Sequence, residues 1–170
     1  MNVRPPLLPL FAACLAAFST AAAAQETVPS DAELRSAYCM SVIKADIGLA
    51  QQFIAQQDAG SRSATTPEQR QQATNTVAVL REWLTKLNAV LTRLQLYLVP
   101  RMGALDPIAL TAAMKRGEAD VQEVIAATDR CSAKCLPLPG DQPAACNASC
   151  IGKDLMTRVS ACTAPTWLPF

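Results

Sequence analysis

Cysteine is the residue type with the clearest chemical potential in this 170-residue chain, which contains no histidine. Four of its seven cysteines form two C-x3-C pairs, Cys131 with Cys135 and Cys146 with Cys150, separated by ten residues. A spacing of four places both cysteines of a pair on one helical face, one turn apart. Thiols in this pattern can form disulfides, bind zinc or act as a redox-active dithiol.

Disulfides between two antiparallel helices fit this spacing best. The connecting residues 136–143 contain three prolines and a glycine, which predicts a turn that sets the outer cysteines opposite each other and the inner ones likewise. A bond within one pair is disfavoured, because Cβ atoms four residues apart on a helix stand about 5–6 Å apart and a disulfide needs about 3.8 Å. We therefore predict three disulfides: Cys131–Cys150, Cys135–Cys146 and Cys39–Cys162.

The hairpin from Cys131 to Cys150 resembles the twin C-x3-C helical hairpins of small mitochondrial intermembrane-space proteins. The resemblance covers this segment alone, and the leader and long helices that precede it set the chain apart from those proteins. It implies that the bonds are structural. We carry over no activity or partner from it.

Zinc binding and redox catalysis are the two alternatives for these cysteines. Zinc-binding cysteines are commonly separated by two to four residues, but an oxidising compartment favours disulfides and no histidine is present to complete a ligand set. Redox-active pairs are typically spaced C-x2-C at a helix N-terminus, whereas Cys131 and Cys135 lie towards a predicted helix C-terminus. We therefore predict neither a metal nor a cofactor.

The first 24 residues have the pattern of an export signal. Arg4 precedes an uncharged, almost wholly apolar run from Leu7 to Ala24, which ends in four alanines. This predicts a signal peptide at residues 1–24 and a single mature domain at 25–170. A retained membrane anchor is the alternative, since the run is just long enough to span a bilayer. Loss of Cys14 leaves six cysteines, an even number that suits a periplasmic or secreted protein.

The charge balance indicates neither nucleic acid nor a membrane surface as a partner. The chain has 15 Lys and Arg against 14 Asp and Glu, and loss of Arg4 makes the two numbers equal. Binding to nucleic acid or anionic lipid needs a clustered positive excess, and nothing after the leader is long and apolar enough to span a membrane. With no histidine base and no glycine-rich phosphate loop, we predict no catalytic residue and a non-enzymatic protein.

Capping signals and hydrophobic periodicity predict four helices and no strands. Ser30, Thr66 and Asp106 each have the character of an N-cap, and proline follows the last two directly. The predicted helices cover residues 31–57, 67–99, 107–135 with Gly117 as a candidate break, and 144–162; residues 58–65 are predicted to form a loop. We therefore expect an all-α, disulfide-stapled four-helix bundle ending in the twin C-x3-C hairpin.

Three residues besides the cysteines are candidates for function. Asp46 falls in the apolar stripe of the first helix, where a carboxylate needs a partner or has a raised pKa. It is either a ligand contact inside the bundle, or an ion-paired or water-exposed edge of the stripe. Trp167 and Phe170 either anchor a partner or fold back over the bundle.

By exclusion, the sequence favours an exported interaction protein of the bacterial envelope, such as an inhibitor, an immunity protein or a chaperone-like binder. Its partner would be another protein, of unknown identity. The alternative is a protein that binds a small apolar ligand between its helices, which a cavity near Asp46 would favour. A metal protein or an enzyme of unfamiliar type is the third hypothesis.

Overall fold

Four helices make up most of the chain that the structure describes. This computed structural model describes residues 27–136, 146 and 149–168, so the predicted signal peptide, Phe170 and the turn of the cysteine hairpin lie outside the described residues. The helices are α1 (Asp31–Ser63), α2 (Pro67–Leu98), α3 (Pro107–Cys135) and α4 (Lys153–Ser160), with a 3-10 helix (Val99–Ala104) between α2 and α3. The predicted all-α, disulfide-stapled fold is confirmed.

The three long helices begin at the residues that the sequence predicts. The Ser30 hydroxyl accepts a hydrogen bond from the Glu33 amide, and the Glu33 carboxylate accepts one from the Ser30 amide. Thr66 and Gln69 form the same reciprocal pair at the start of α2. The Asp106 carboxylate accepts hydrogen bonds from two amides in the first turn of α3. These side chains satisfy amides that have no partner within the helix, so each helix has a defined start.

The central helix of the bundle is α1. It packs against both α2 and α3, whereas α2 and α3 make little contact with each other. Thr27 and Leu105 form a parallel β-bridge just before α1 and α3, which places the starts of these two helices together. The five largest fully buried side chains of the described residues come from α1 and α2: Val42, Ile43, Leu87, Leu94 and Leu98.

The first helix is longer than the sequence predicts. It continues to Ser63, so the predicted loop at residues 58–65 is wrong except for its last two residues. The last turns of α1 lie beside the first turns of α2, and Asp58 forms an ion pair with Arg81 across the two helices (3.9 Å). The neighbouring helix therefore outweighs the weak helix propensity of a segment that contains Gly60 and two serines.

The third helix continues through Gly117 without the predicted break. A Cβ atom placed on Gly117 would lie 2.5 Å from the carbonyl oxygen of Tyr38 and 3.2 Å from the Cβ atom of Ser41. Glycine at this position therefore permits the close approach of α1 and α3 and does not end the helix.

The predicted helix at residues 144–162 is interrupted in the part that the structure describes. Gly152 adopts a φ angle of 101°, a left-handed conformation that favours glycine, and α4 begins immediately after it. This helix ends at Ser160, so Cys162 lies in the turns that follow it. In the part of the chain that the structure describes, three long helices and the short α4 therefore form the bundle, and α4 packs against α3.

Candidate functional site

Three disulfides join the six cysteines in the predicted pairs. The S–S distances are 2.02 Å for Cys39–Cys162, 1.96 Å for Cys131–Cys150 and 1.91 Å for Cys135–Cys146. Four of these cysteines are at most 4 % exposed: Cys39, Cys131, Cys135 and Cys162. Between Thr27 and Leu168, in the part that is described, no group of three or more His, Cys, Asp or Glu residues could hold a metal ion.

The Cys39–Cys162 bond draws one end of the bundle together around a cleft of about 690 Å³. We call this the α1–α3–α4 cleft. Six of its lining residues carry its chemistry: Arg35 and Tyr38 from α1, Arg116 and Asp120 from α3, Arg158 from α4, and Trp167 from the tail. Four elements that are distant in sequence therefore meet at one surface.

A hydrogen-bonded triad lies in the cleft. The Tyr38 hydroxyl donates to Oδ2 of Asp120 (2.8 Å), and Nε of Arg158 donates to the same oxygen (3.1 Å). Burial acts to raise the pKa of Asp120, but hydrogen bonds from Arg158 and Tyr38 outweigh it, so this pKa lies below its ordinary value. Burial, together with the hydrogen bond and the negative charge of Asp120, raises the pKa of Tyr38 to about 12. Near neutral pH, Asp120 is therefore ionised and Tyr38 remains a donor.

Two further arginines give the cleft an excess of positive charge. Arg35 and Arg116 are both exposed, and neither forms a hydrogen bond or ion pair with another residue of the described segments. The charge of Arg116 reaches Asp120 and contributes to lowering the pKa of that carboxyl. Because Asp120 and Arg158 neutralise each other, Arg35 and Arg116 leave the six residues with a net charge of +2.

Of the three candidates from the sequence, the structure places Trp167 in the cleft. Its side chain is half-buried and packs against the core cluster, so the residue both folds back over the bundle and lines the site. Phe170 lies outside the described residues. Asp46 does not line the cleft.

Asp46 is a half-buried carboxylate on the second quarter of α1. It has no hydrogen bond or ion pair with any residue that the structure describes, so the ion-pair interpretation is wrong for this part of the chain. Burial raises the pKa of its carboxyl above the ordinary value. The residue therefore lies at the edge of the apolar stripe, where its charge opposes folding.

We expect Asp46→Asn to stabilise the protein at pH 7 by about 0.5–1 kcal/mol, because the neutral amide replaces an ionised carboxylate that burial disfavours. The folded-state pKa lies above the unfolded one, so the native form holds the proton more tightly. The penalty is therefore present above the folded-state pKa and disappears as the pH falls below the unfolded one. Urea unfolding at pH 7 and at pH 3 measures the difference in stability between Asp46→Asn and wild type, which should be smaller at pH 3.

The control for this substitution is Asp129→Asn, which removes an exposed carboxylate from α3. It should change the free energy of unfolding little at either pH, as exposed substitutions usually do. Equal stability of Asp46→Asn and wild type at pH 7 would contradict the assignment of Asp46 as a destabilising charge.

The sequence did not single out Tyr38, Asp120 or the cleft arginines. The sequence did contain a signal for Tyr38 and Arg158, because Tyr38 precedes Cys39 and Arg158 lies four residues before Cys162. The predicted disulfide therefore already implied that Tyr38 and Arg158 are neighbours. Nothing comparable pointed to Asp120 or Arg116.

The fold and the site together define a class: a disulfide-stapled all-α protein with a cleft of aromatic and arginine side chains at one end. No family model, curated protein or solved structure matches the chain. Within residues 27–136 and 149–168, none of the helices combines the length and the hydrophobicity needed to cross a bilayer. The chemistry of the cleft is therefore the main indication of function.

Proposed function

We propose that this chain is an exported, non-enzymatic binding protein that recognises another protein through the α1–α3–α4 cleft. The observation that carries the proposal is the convergence of Tyr38, Trp167 and three arginines on one surface. Trp, Tyr and Arg are the residues most enriched in binding hot spots. The whole chain has two tryptophans and two tyrosines, so half of them line this cleft.

Three of these side chains, Tyr38, Arg158 and Trp167, are held in place before any partner binds. The Cys39–Cys162 bond ties the tail to α1, Trp167 packs against the core cluster, and Asp120 holds both Tyr38 and Arg158. A surface whose groups are already ordered loses less conformational entropy on association. This favours recognition of a defined partner by a rigid scaffold.

A small apolar ligand suits the cleft less well than a protein does. Small-molecule sites are concave and surround the ligand mostly with apolar groups. The lining of this cleft is also mostly apolar, but its three arginine side chains are exposed and carry charges that a small apolar ligand would leave unpaired. An exposed surface of aromatic and charged groups is the usual composition of a protein interface with a polar rim.

The triad also argues for binding over catalysis. General acid–base catalysis is most efficient when the pKa of the group lies near the working pH. The pKa of Tyr38 is raised to about 12, and that of Asp120 lies below its ordinary value. Neither group exchanges a proton readily near pH 7, so the triad serves to position side chains.

Export to an oxidising compartment, such as a bacterial periplasm, completes the proposal. The three disulfides support it, because structural disulfides persist in oxidising environments and are rare in the cytosol. The predicted signal peptide at residues 1–24 supports it independently. Inhibitors, immunity proteins and chaperone-like binders all fit this description.

A comparison of the two tryptophans tests the proposal. We expect the oxidised full-chain protein to capture a partner from an envelope extract of its native host, with affinity reduced at least about tenfold by Trp167→Ala, as for a hot-spot residue. Trp83→Ala is the matched control, because Trp83 lies on α2, outside the cleft, and is 40 % exposed. Mass spectrometry identifies the captured protein, and titration calorimetry with the purified partner gives the affinities.

Circular dichroism melts of both variants establish that the fold is intact. A partner whose affinity falls equally with Trp167→Ala and Trp83→Ala, or with neither, would contradict recognition through the cleft.

A further inference from the structure

Building on the proposed function, we infer that the α1–α3–α4 cleft binds an acidic segment of the partner protein. In this arrangement, carboxylates of the segment pair with Arg35 and Arg116, and an adjacent apolar side chain lies against Trp167. The inference rests on two arginines that form no hydrogen bond or ion pair with the described residues and that lie beside an aromatic side chain in one cleft.

The charges of the cleft point to an anionic ligand. Arg158 is already bound by Asp120 at 3.1 Å, so its charge is largely compensated. Arg35 and Arg116 form no hydrogen bond or ion pair with the described residues and extend into solvent at the same cleft. A guanidinium group offers paired N–H donors that match the two oxygens of a carboxylate, which makes it well suited to binding Asp and Glu side chains.

The amount of charge favours a peptide over a polyanion. Nucleic acids and anionic membranes are bound through many neutralised phosphates, and their affinity depends on an extended positive surface. The excess in the cleft is two charges, and Lys and Arg exceed Asp and Glu by one over the whole chain. Two guanidinium groups are enough to bind one or two carboxylates of a peptide.

The apolar part of the cleft sets a second requirement. Leu34 and Ala161 line the cleft together with Trp167. An aromatic or aliphatic side chain next to the carboxylate would cover this surface and exclude water from the ion pairs, which strengthens them. The segment we infer therefore combines Asp or Glu with a neighbouring large apolar residue.

The fixed triad keeps this recognition specific. The ionised carboxylate of Asp120 holds Tyr38 and Arg158 in place and repels any anion that approaches it directly. Charge repulsion within an interface discriminates against wrong partners and wrong registers. A segment with carboxylates at every position is therefore a poorer ligand than one with acidic and apolar residues at set positions.

Selection from a phage library of random dodecapeptides tests the inference. The target is the oxidised full-chain protein, and the counter-selection uses the double variant Arg35→Gln/Arg116→Gln. We expect enrichment of peptides in which Asp or Glu is next to an aromatic or aliphatic residue. The best synthetic peptide should bind at least about tenfold more weakly when its acidic residues are replaced by their amides, since hydrogen bonds to charged groups have this magnitude.

Matched single variants locate the effect. Arg35→Gln and Arg116→Gln should each weaken binding of this peptide at least about fivefold in fluorescence anisotropy. Lys115→Gln is the control, because it removes the same charge from the residue next to Arg116 without altering the lining of the cleft. Enrichment of neutral or basic peptides, or equal loss from Lys115→Gln, would overturn the inference.

Two other kinds of anion are tested as alternative ligands of the cleft. A 12-nucleotide single-stranded DNA or a vesicle of anionic phospholipid that binds more tightly than the peptide, with the same dependence on Arg35 and Arg116, would also overturn it. The proposed function has a separate failure. If Trp167→Ala weakens capture of the natural partner but the two arginine variants do not, the cleft is the binding site and its ligand is not acidic.

Discussion

Replacing Cys39 and Cys162 together by alanine should lower the free energy of unfolding by about 4–5 kcal/mol, the largest loss expected from any of the three disulfides. The stabilisation by a disulfide grows with the length of the loop that it closes in the unfolded chain. The Cys39–Cys162 bond spans 123 residues, whereas the other two span 19 and 11. For loops of those shorter lengths the same relation gives about 3 kcal/mol.

Urea unfolding of three double-alanine variants, one for each bond, measures this order. Single domains are usually stable by about 5–15 kcal/mol, so the Cys39/Cys162 variant should unfold at a much lower urea concentration. The Cys135/Cys146 variant is the matched control, because it also replaces two cysteines of the fold. Equal midpoints for these two variants would show that the long-range bond is not the main covalent constraint.

The same bond should also control the cleft. Cys39 follows Tyr38 directly, and Cys162 attaches to α1 the tail segment that contains Trp167. In a Trp83→Phe background, Trp167 is the remaining tryptophan, so its fluorescence reports on the cleft alone. Loss of the bond should shift that emission to longer wavelength in native buffer, while loss of Cys135–Cys146 should not.

Local signals made the starts of the three long helices predictable from the sequence, but not the end of α1. A capping box such as Ser30 with Glu33 involves residues three apart, so it is visible in any short window of sequence. The end of α1 depends on the surface of α2 beside it, and no window around Asp58 contains that information. Gly117 shows the same limit, because its role is set by the carbonyl oxygen of Tyr38.

The disulfides were predictable from the sequence because helical spacing constrains them. The residues that form the cleft were not predictable in this way. Cysteines at intervals of four fix which sulfur atoms face each other once two helices are antiparallel. Asp120 has no such constraint, since Tyr38 and Arg158 are 82 and 38 residues away in sequence. The site therefore arises from the assembly of α1, α3 and α4, and only the Cys39–Cys162 bond indicated part of it beforehand.

Because the cleft depends on how closely α1 and α3 approach, Gly117→Ala should damage both stability and binding. Alanine favours a helix over glycine by about 1 kcal/mol. At Gly117, however, the new Cβ atom would meet the backbone oxygen of Tyr38 at 2.5 Å, which no side-chain rotation can relieve. Overpacking of this kind costs about 1–3 kcal/mol. Because Asp120 lies one turn after Gly117 on α3, the substitution should also move Tyr38 away from the Asp120 carboxylate.

Gly48→Ala is the matched control, because Gly48 lies within α1 and a Cβ atom there has no neighbour within 4 Å. We expect this variant to be more stable than wild type by up to about 1 kcal/mol and to bind the partner unchanged. The two substitutions are chemically identical and should differ in sign, so their urea midpoints test the contact between α1 and α3 separately from helix propensity. If both variants are stabilised, α1 and α3 do not make close contact at Gly117, and this contact does not shape the cleft.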